Sequence, residues 1–365
     1  MDYNTSYSNF TNSSVPVTEK LTTTDSIALC QLITVFLFGT SGNSVVIYVF
    51  AWKKRKSRRR FESLLLILGV TDFCASLFVP ALFMYGTATQ YKQWHFGYFG
   101  CKFITSLFPV SITISQGILV LISFERYKTI TNPFGARLSR SFIVNWLLTI
   151  VVIALLLVTP FTYTLQLVTD QKYGINTCIP TKDNFDVIFL FSLGNVVRDF
   201  AATSGMFILN ILTAKSLHKE HILLNELGMK KRLENANKAR KMLMVVVVVF
   251  SICVLPVDVF QAVFYTLIEA NVNMSKKVYE VFLTSNTFLT ILQISNSATN
   301  IFIYSKMHKD FTRNLFACYR KGNELLRESF NRVTFRSTRS ESMVSLPGQL
   351  IKTPTPDDND VFSTD

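Results

Sequence analysis

Residues 99–127 read FGCKFITSLFPVSITISQGILVLISFERY, and no charged side chain falls between Phe103 and Phe124. About 20 predominantly apolar residues suffice for one helix to cross the hydrocarbon core of a bilayer. The run ends in Glu125-Arg126-Tyr127. An acid is thereby set beside a guanidinium at the membrane boundary, where the carboxylate can restrain the cation until a rearrangement releases it to a partner.

Outward from this stretch, comparable runs occupy 27–51, 62–86, 141–163, 186–214, 241–268 and 278–304, which makes seven spans. The expected fold is therefore an all-α membrane protein, a bundle of seven transmembrane helices. Composition agrees, because 365 residues that are 49% apolar and include 32 Phe carry more apolar surface than a soluble domain of that size covers.

The formal charge of +13 could point to nucleic acid. The basic residues instead sit in blocks between spans, at Lys53 to Arg60, Lys215 to Lys241 and Lys306 to Lys321, whereas the alternate loops hold scattered lysines such as Lys92, Lys172 and Lys276. Basic residues stay on the cytoplasmic side, so these blocks put the N-terminus outside and the C-terminus inside, and a nucleic-acid role is set aside. The sequons at Asn4, Asn9, Asn12 and Asn273 all fall on the outer side in this topology. The first 25 residues are polar and have no signal-peptide pattern, so the first span is expected to act as an uncleaved anchor.

The domain reading is an extracellular glycosylated tail at 1–26, a membrane domain at 27–305, an amphipathic helix on the inner membrane surface at 306–320, and a disordered cytoplasmic tail at 321–365. Met307, Phe311, Leu315 and Cys318 recur at helical spacing with basic residues between them, which places Cys318 to carry a palmitate. The tail offers Ser337, Thr338, Ser340, Ser342 and Ser345 for phosphorylation, and arrestin is the expected partner once it is phosphorylated. Six scattered cysteines form neither a disulfide scaffold nor a zinc site. Phosphate loops, nucleophile elbows and internal repeats are absent, which excludes the enzyme motifs and argues against a transporter built from repeats.

Within the spans, Gly42-Asn43, Leu68 to Asp72, Cys101, Glu125-Arg126-Tyr127, Trp146, Phe250-x-x-Cys253-x-Leu255-Pro256 and Asn300-x-x-x-Tyr304 occur in order. This series resembles rhodopsin-like (class A) G-protein-coupled receptors over roughly residues 27–320. The resemblance implies a disulfide between Cys101 and Cys178, while Cys30, Cys74 and Cys253 are expected as buried thiols. It also implies a sodium and activation-switch set of Asp72, Ser115, Asn296, Ser297, Asn300 and Tyr304, for which a water cluster or a purely structural Asp72 are the alternatives. Glu125, Arg126 and Tyr127 would serve coupling to a heterotrimeric G protein, with Lys238, Arg240 and Lys241 on the docking rim.

Three positions depart from the family pattern: Ile301 stands where a Pro is usual, Val254 where a Trp is usual, and helix five lacks its Pro near Ala202 to Thr203. Helix seven should therefore be straighter, and Pro256 still kinks helix six. Phe108 occupies the place of the amine-binding Asp and Ile294 that of the retinal Lys, which argues against amine and retinal ligands. Arg198, Asp258, Gln261 and Thr290, together with Phe108, form the candidate ligand set, with an interhelical ion pair between Arg198 and Asp258 as the plainer reading. The expected function is a receptor for a neuropeptide or peptide hormone. The alternatives are a non-signalling receptor-like scaffold or a receptor for a non-peptide small molecule.

Overall fold

The computed structural model describes residues 21–52, 60–132, 135, 137–170, 174–181, 185–226, 230–270, 272, 274–307, 311, 313, 320 and 324. Asn4, Asn9, Asn12, Asn273, Cys318 and the C-terminal phosphorylation candidates lie outside them, as does most of the surface helix expected at 306–320.

Seven long helices run in order: α1 Thr23–Trp52, α2 Arg60–Ala88, α3 Gly97–Thr131, α4 Arg140–Thr164, α5 Phe185–Glu226, α6 Lys230–Glu269 and α7 Lys276–Met307. Local chemistry starts two of them. Thr22 Oγ1 accepts from the Asp25 amide at 3.1 Å while Asp25 Oδ2 accepts from the Thr22 amide at 3.1 Å, a reciprocal cap on α1. Ser139 Oγ accepts from the Phe142 amide at 3.1 Å and caps α4.

Six of these helices, α1 to α6, are long and apolar enough to cross a membrane. The polar content of α7 distinguishes it: Thr290, Gln293, Ser295, Asn296, Ser297, Thr299 and Asn300 interrupt its apolar pattern. Much of that polarity faces the bundle, since Thr290, Gln293 and Asn300 are buried. Conversely, α4 presents Leu148, Val152 and Leu156 outward and a narrow apolar seam inward, at Ile143, Ile150, Ala154 and Val158. Exposed apolar surface of that extent belongs against lipid. The same logic corrects two cysteines: Cys30 and Cys74 face outward and only Cys253 is buried, because in a span apolar character does not imply an inward position.

Neighbouring helices in the chain pack side by side, α7 closes the ring against α1, and α3 runs through the middle to touch α2, α4, α5 and α6. The α3–α4 crossing depends on Gly117. A Cβ there would fall 2.5 Å from Ile150 Cδ1 and 2.8 Å from its Cγ2, and the Gly117 carbonyl accepts from Trp146 Nε1 at 3.2 Å. At the α1–α7 crossing, Ile301 stands over Gly42, whose added Cβ would meet Ile301 Cγ2 at 2.8 Å. Residue 301 thus fills a glycine notch, and α7 continues helical through it to Met307.

A hairpin absent from the all-helical expectation closes one end, which is termed the outer end. Strands β1 Leu165–Thr169 and β2 Asn176–Pro180 pair antiparallel, with Leu167 opposite Cys178. Gly174 takes φ +64° in the connection, a left-handed conformation that glycine adopts without steric cost. Five-residue strands leave little periodicity to read beside spans several times longer.

Candidate functional site

The main groups of candidate residues lie at successive depths in the bundle. At the outer end the disulfide Cys101–Cys178 ties β2 to α3, as the resemblance implies. The loop before α3 docks on the same strand: the Trp94 amide donates to the Asn176 carbonyl at 2.7 Å, and Thr177 Oγ1 donates to the Lys92 carbonyl at 3.0 Å. Trp94 itself is buried against Cys101 and Leu165, and its indole donates to the Gly97 carbonyl at 2.9 Å. Lys102 Nζ reaches the Thr162 and Tyr163 carbonyls at 3.0 Å each, supplying a cation to the C-terminal end of α4. A disulfide, a strand and a buried Trp therefore hold the outer loops to the helix ends.

Below this lies the candidate ligand set. Arg198 on α5 pairs with its neighbour Asp199 through two bonds, Nε to Oδ1 at 2.6 Å and Nη2 to Oδ2 at 3.0 Å. Its remaining Nη1 donates to Thr113 Oγ1 on α3 at 3.0 Å and to Asn195 Oδ1 at 2.9 Å. Asp258 on α6 is buried, and Gln293 on α7 donates to its Oδ1 at 3.4 Å. The direct partner of Arg198 is thus Asp199, while Asp258 is reached by Gln293 from α7 and faces Asp199 and Arg198 from α5. Gln261 donates to Asn286 Oδ1 at 3.0 Å, another α6–α7 link, and Thr290 is buried on the same helix. Phe108 packs edge-on against Phe83 at 5.2 Å and lines a cavity together with Ser111, Ser115, Val254, Gln293 and Asn296.

That cavity reaches toward the mid-membrane polar set. Asp72 is fully buried; Ser115 donates to its Oδ1 at 3.0 Å and Asn300 to its Oδ2 at 2.6 Å. Asn43 bridges helices by donating to the Ser297 carbonyl at 2.9 Å, and Ser297 and Asn296 line the cavity. Helices α2, α3 and α7 therefore converge on one carboxylate, with α1 joined through Asn43. A carboxylate with hydroxyl and amide oxygens around a cavity is a donor set that fits a small hard cation.

At the inner end Arg126 is held down. Its Nε donates to Glu125 Oε2 at 2.6 Å, Thr129 Oγ1 donates to Glu125 Oε1 at 3.1 Å, and the guanidinium lies 4.0 Å from the centre of the Phe61 ring. Glu125 is 5% exposed at its side chain and Arg126 16%, so the pair is shielded from solvent and worth more than a surface ion pair. Tyr127 is half-buried beside it. Tyr304 is fully buried, its ring near Phe311 and its hydroxyl unpartnered among the described residues.

Several of these participants escape a linear reading. Asn195 stands three residues before Arg198, a helical spacing that could have been noticed. Thr113, Gln293 and Phe61 reach their partners only through helix packing, and no local pattern marks them.

Residues 42–304 match the family described as 7 transmembrane receptor (rhodopsin family). The chain is similar to the Type-1 angiotensin II receptor A of Xenopus laevis, 26% identical over 288 residues that cover 77% of this chain and 75% of that one. It is similar to the Neuropeptide Y receptor type 6 of Oryctolagus cuniculus, 28% identical over 246 residues, 63% and 65% of the two chains. Similarity to the Proteinase-activated receptor 2 of Rattus norvegicus is 24% over 332 residues, 88% and 79% of the two.

Proposed function

The chain belongs to the rhodopsin family of 7 transmembrane receptors, and on that premise we propose that it binds a peptide at its outer end and relays the event to a heterotrimeric G protein at its inner end. The protein is a multi-pass membrane protein, and its proposed location is the plasma membrane, with the N-terminus outside.

The observation that carries the relay is the restrained Arg126. A guanidinium bonded to Glu125 and stacked on Phe61 is restrained on two sides; a shift of α2 against α3 would undo the Phe61 contact, and the Glu125 contact, which lies within α3, yields to a change of side-chain rotamer. Freed, the same guanidinium offers donors to a docking helix. The peptide part of the reading rests on the cavity's mixed lining, on a tethered outer hairpin that leaves polar groups below it, and on relatives named for angiotensin and neuropeptide Y. A sodium ion at Asp72, with oxygens from Ser115, Asn296 and Ser297, would favour the packed state by drawing α2, α3 and α7 together.

Cells carrying reporters for cAMP, calcium and G-protein dissociation, exposed to a library of short amidated peptides, test the proposal. Agonist responses in the wild type should vanish in Arg126→Ala at matched surface expression. Undiminished responses in that variant would take Arg126 out of coupling, and silence of the wild type in every channel would overturn the reading.

A further inference from the structure

The buried cluster between α3, α5, α6 and α7 holds one guanidinium and two carboxyl groups. Arg198 spends its donors on Asp199, Thr113 and Asn195, and both oxygens of Asp199 are engaged by Arg198. That pair is closed. Asp258 remains, 5% exposed, with its Oδ2 unpartnered and its Oδ1 reached by Gln293 at 3.4 Å, a long contact for a charge-assisted bond. The charged groups facing it are Asp199, whose carboxyl stands within hydrogen-bonding reach of it, and Arg198, both from α5. With both carboxyls ionised the cluster is one positive charge short, and either a proton held between Asp199 and Asp258 or a cation from outside makes up the difference.

Resting on the peptide reading, we infer that Asp258 is the anchor for a cationic group of the ligand, a guanidinium or ammonium from a basic side chain or amino terminus. Such a group would satisfy Oδ2 and offset the surplus carboxylate, the two defects of the cluster. Burying a charge without a partner is expensive, and supplying the partner recovers that cost on binding. Gln293, which holds Oδ1 weakly, also lines the small cavity shared with Phe108, Ser111 and Val254, so its side chain separates that cavity from Asp258 and must swing aside to admit a cation. A cation entering along this wall displaces one long hydrogen bond and leaves the Arg198–Asp199 pair intact. The geometry thereby narrows the ligand class to peptides that carry a positive charge on the part inserted deepest.

The full-length receptor, purified in lipid nanodiscs, is unfolded thermally with argininamide at ~10 mM, a concentration that stabilises measurably when Kd is millimolar. Citrullinamide, the uncharged isostere, is the control. The wild type should gain melting temperature with argininamide and not with citrullinamide. Asp258→Asn, which keeps the shape and removes the surplus charge, should melt no lower than wild type and bind argininamide ~10- to 100-fold more weakly, as expected for one lost charge-assisted contact. Equal responses to the two probes, or an argininamide shift that survives Asp258→Asn, would overturn the inference and leave a proton shared between Asp199 and Asp258 as what neutralises the cluster. The wild-type comparison stands even if the variant fails to fold. Because the readout involves neither a peptide agonist nor a G protein, a negative result strikes the cationic anchor alone, and silence in the reporter assay strikes the peptide reading alone.

Discussion

Single residues set the packing on which the relay depends. Gly117 and Ile150 show how little tolerance there is: a methyl group at Gly117 meets three carbons of Ile150, of which Cγ2 cannot swing away without moving the side chain's branch. Gly117→Ala is expected to destabilise the bundle by ~1–3 kcal/mol, the usual range for an overpacked core. Adding Ile150→Ala should restore part of the loss, and thermal unfolding of the single and double variants measures that coupling. A double variant that melts as low as the sum of its parts would show that the two sites are independent. The reading of Gly42 and Asn43 as a family marker said nothing of Ile301, yet Ile301 is the side chain that occupies the space Gly42 leaves. The departure from the usual proline is thus a local fit between two helices.

Among elements, the outer hairpin was hidden and the helices were legible. Each span announces itself because lipid demands an unbroken apolar run with its backbone bonds satisfied internally. The inner limits of α5 and α6 were not so marked: the helices extend to Glu226 and begin at Lys230, beyond the apolar runs at 186–214 and 241–268. Those extensions are rich in Lys, Glu, Leu and Ala, which favour helix without lipid. Strands β1 and β2 instead owe their position to the disulfide at Cys178, to Trp94 and to Thr177. Cys178→Ser is expected to release β2 from α3, lower thermal stability by ~2–5 kcal/mol and reduce surface expression. Surface labelling equal to wild type with an unchanged melting temperature would show that Trp94 and its neighbours hold the hairpin unaided.

For the whole molecule, Asp72 joins α2, α3 and α7 through Ser115 and Asn300, so whatever occupies the adjoining cavity biases how the helices sit together. The proposed sodium ion should raise the melting temperature of the purified receptor in sodium chloride relative to choline chloride, and Asp72→Asn should abolish the difference. Identical melting in both salts would leave the Asp72 set as a hydrogen-bonded core with no ion. By itself the sequence determined the seven spans, the family and the residues from which the polar sites are drawn, because span length, charge asymmetry and ordered motifs are properties of consecutive residues. It also led to the expectation that Arg198 and Asp258 face one another, with an ion pair between them as the plainer reading; in the folded bundle Arg198 bonds Asp199 directly, and Asp258 faces both α5 charges and is reached by Gln293. Only the tertiary structure decided that, since it depends on how far each helix is rotated and how deep it sits against its neighbours. The partners of a buried charge are fixed by those rotations, and nothing in the linear chain records them.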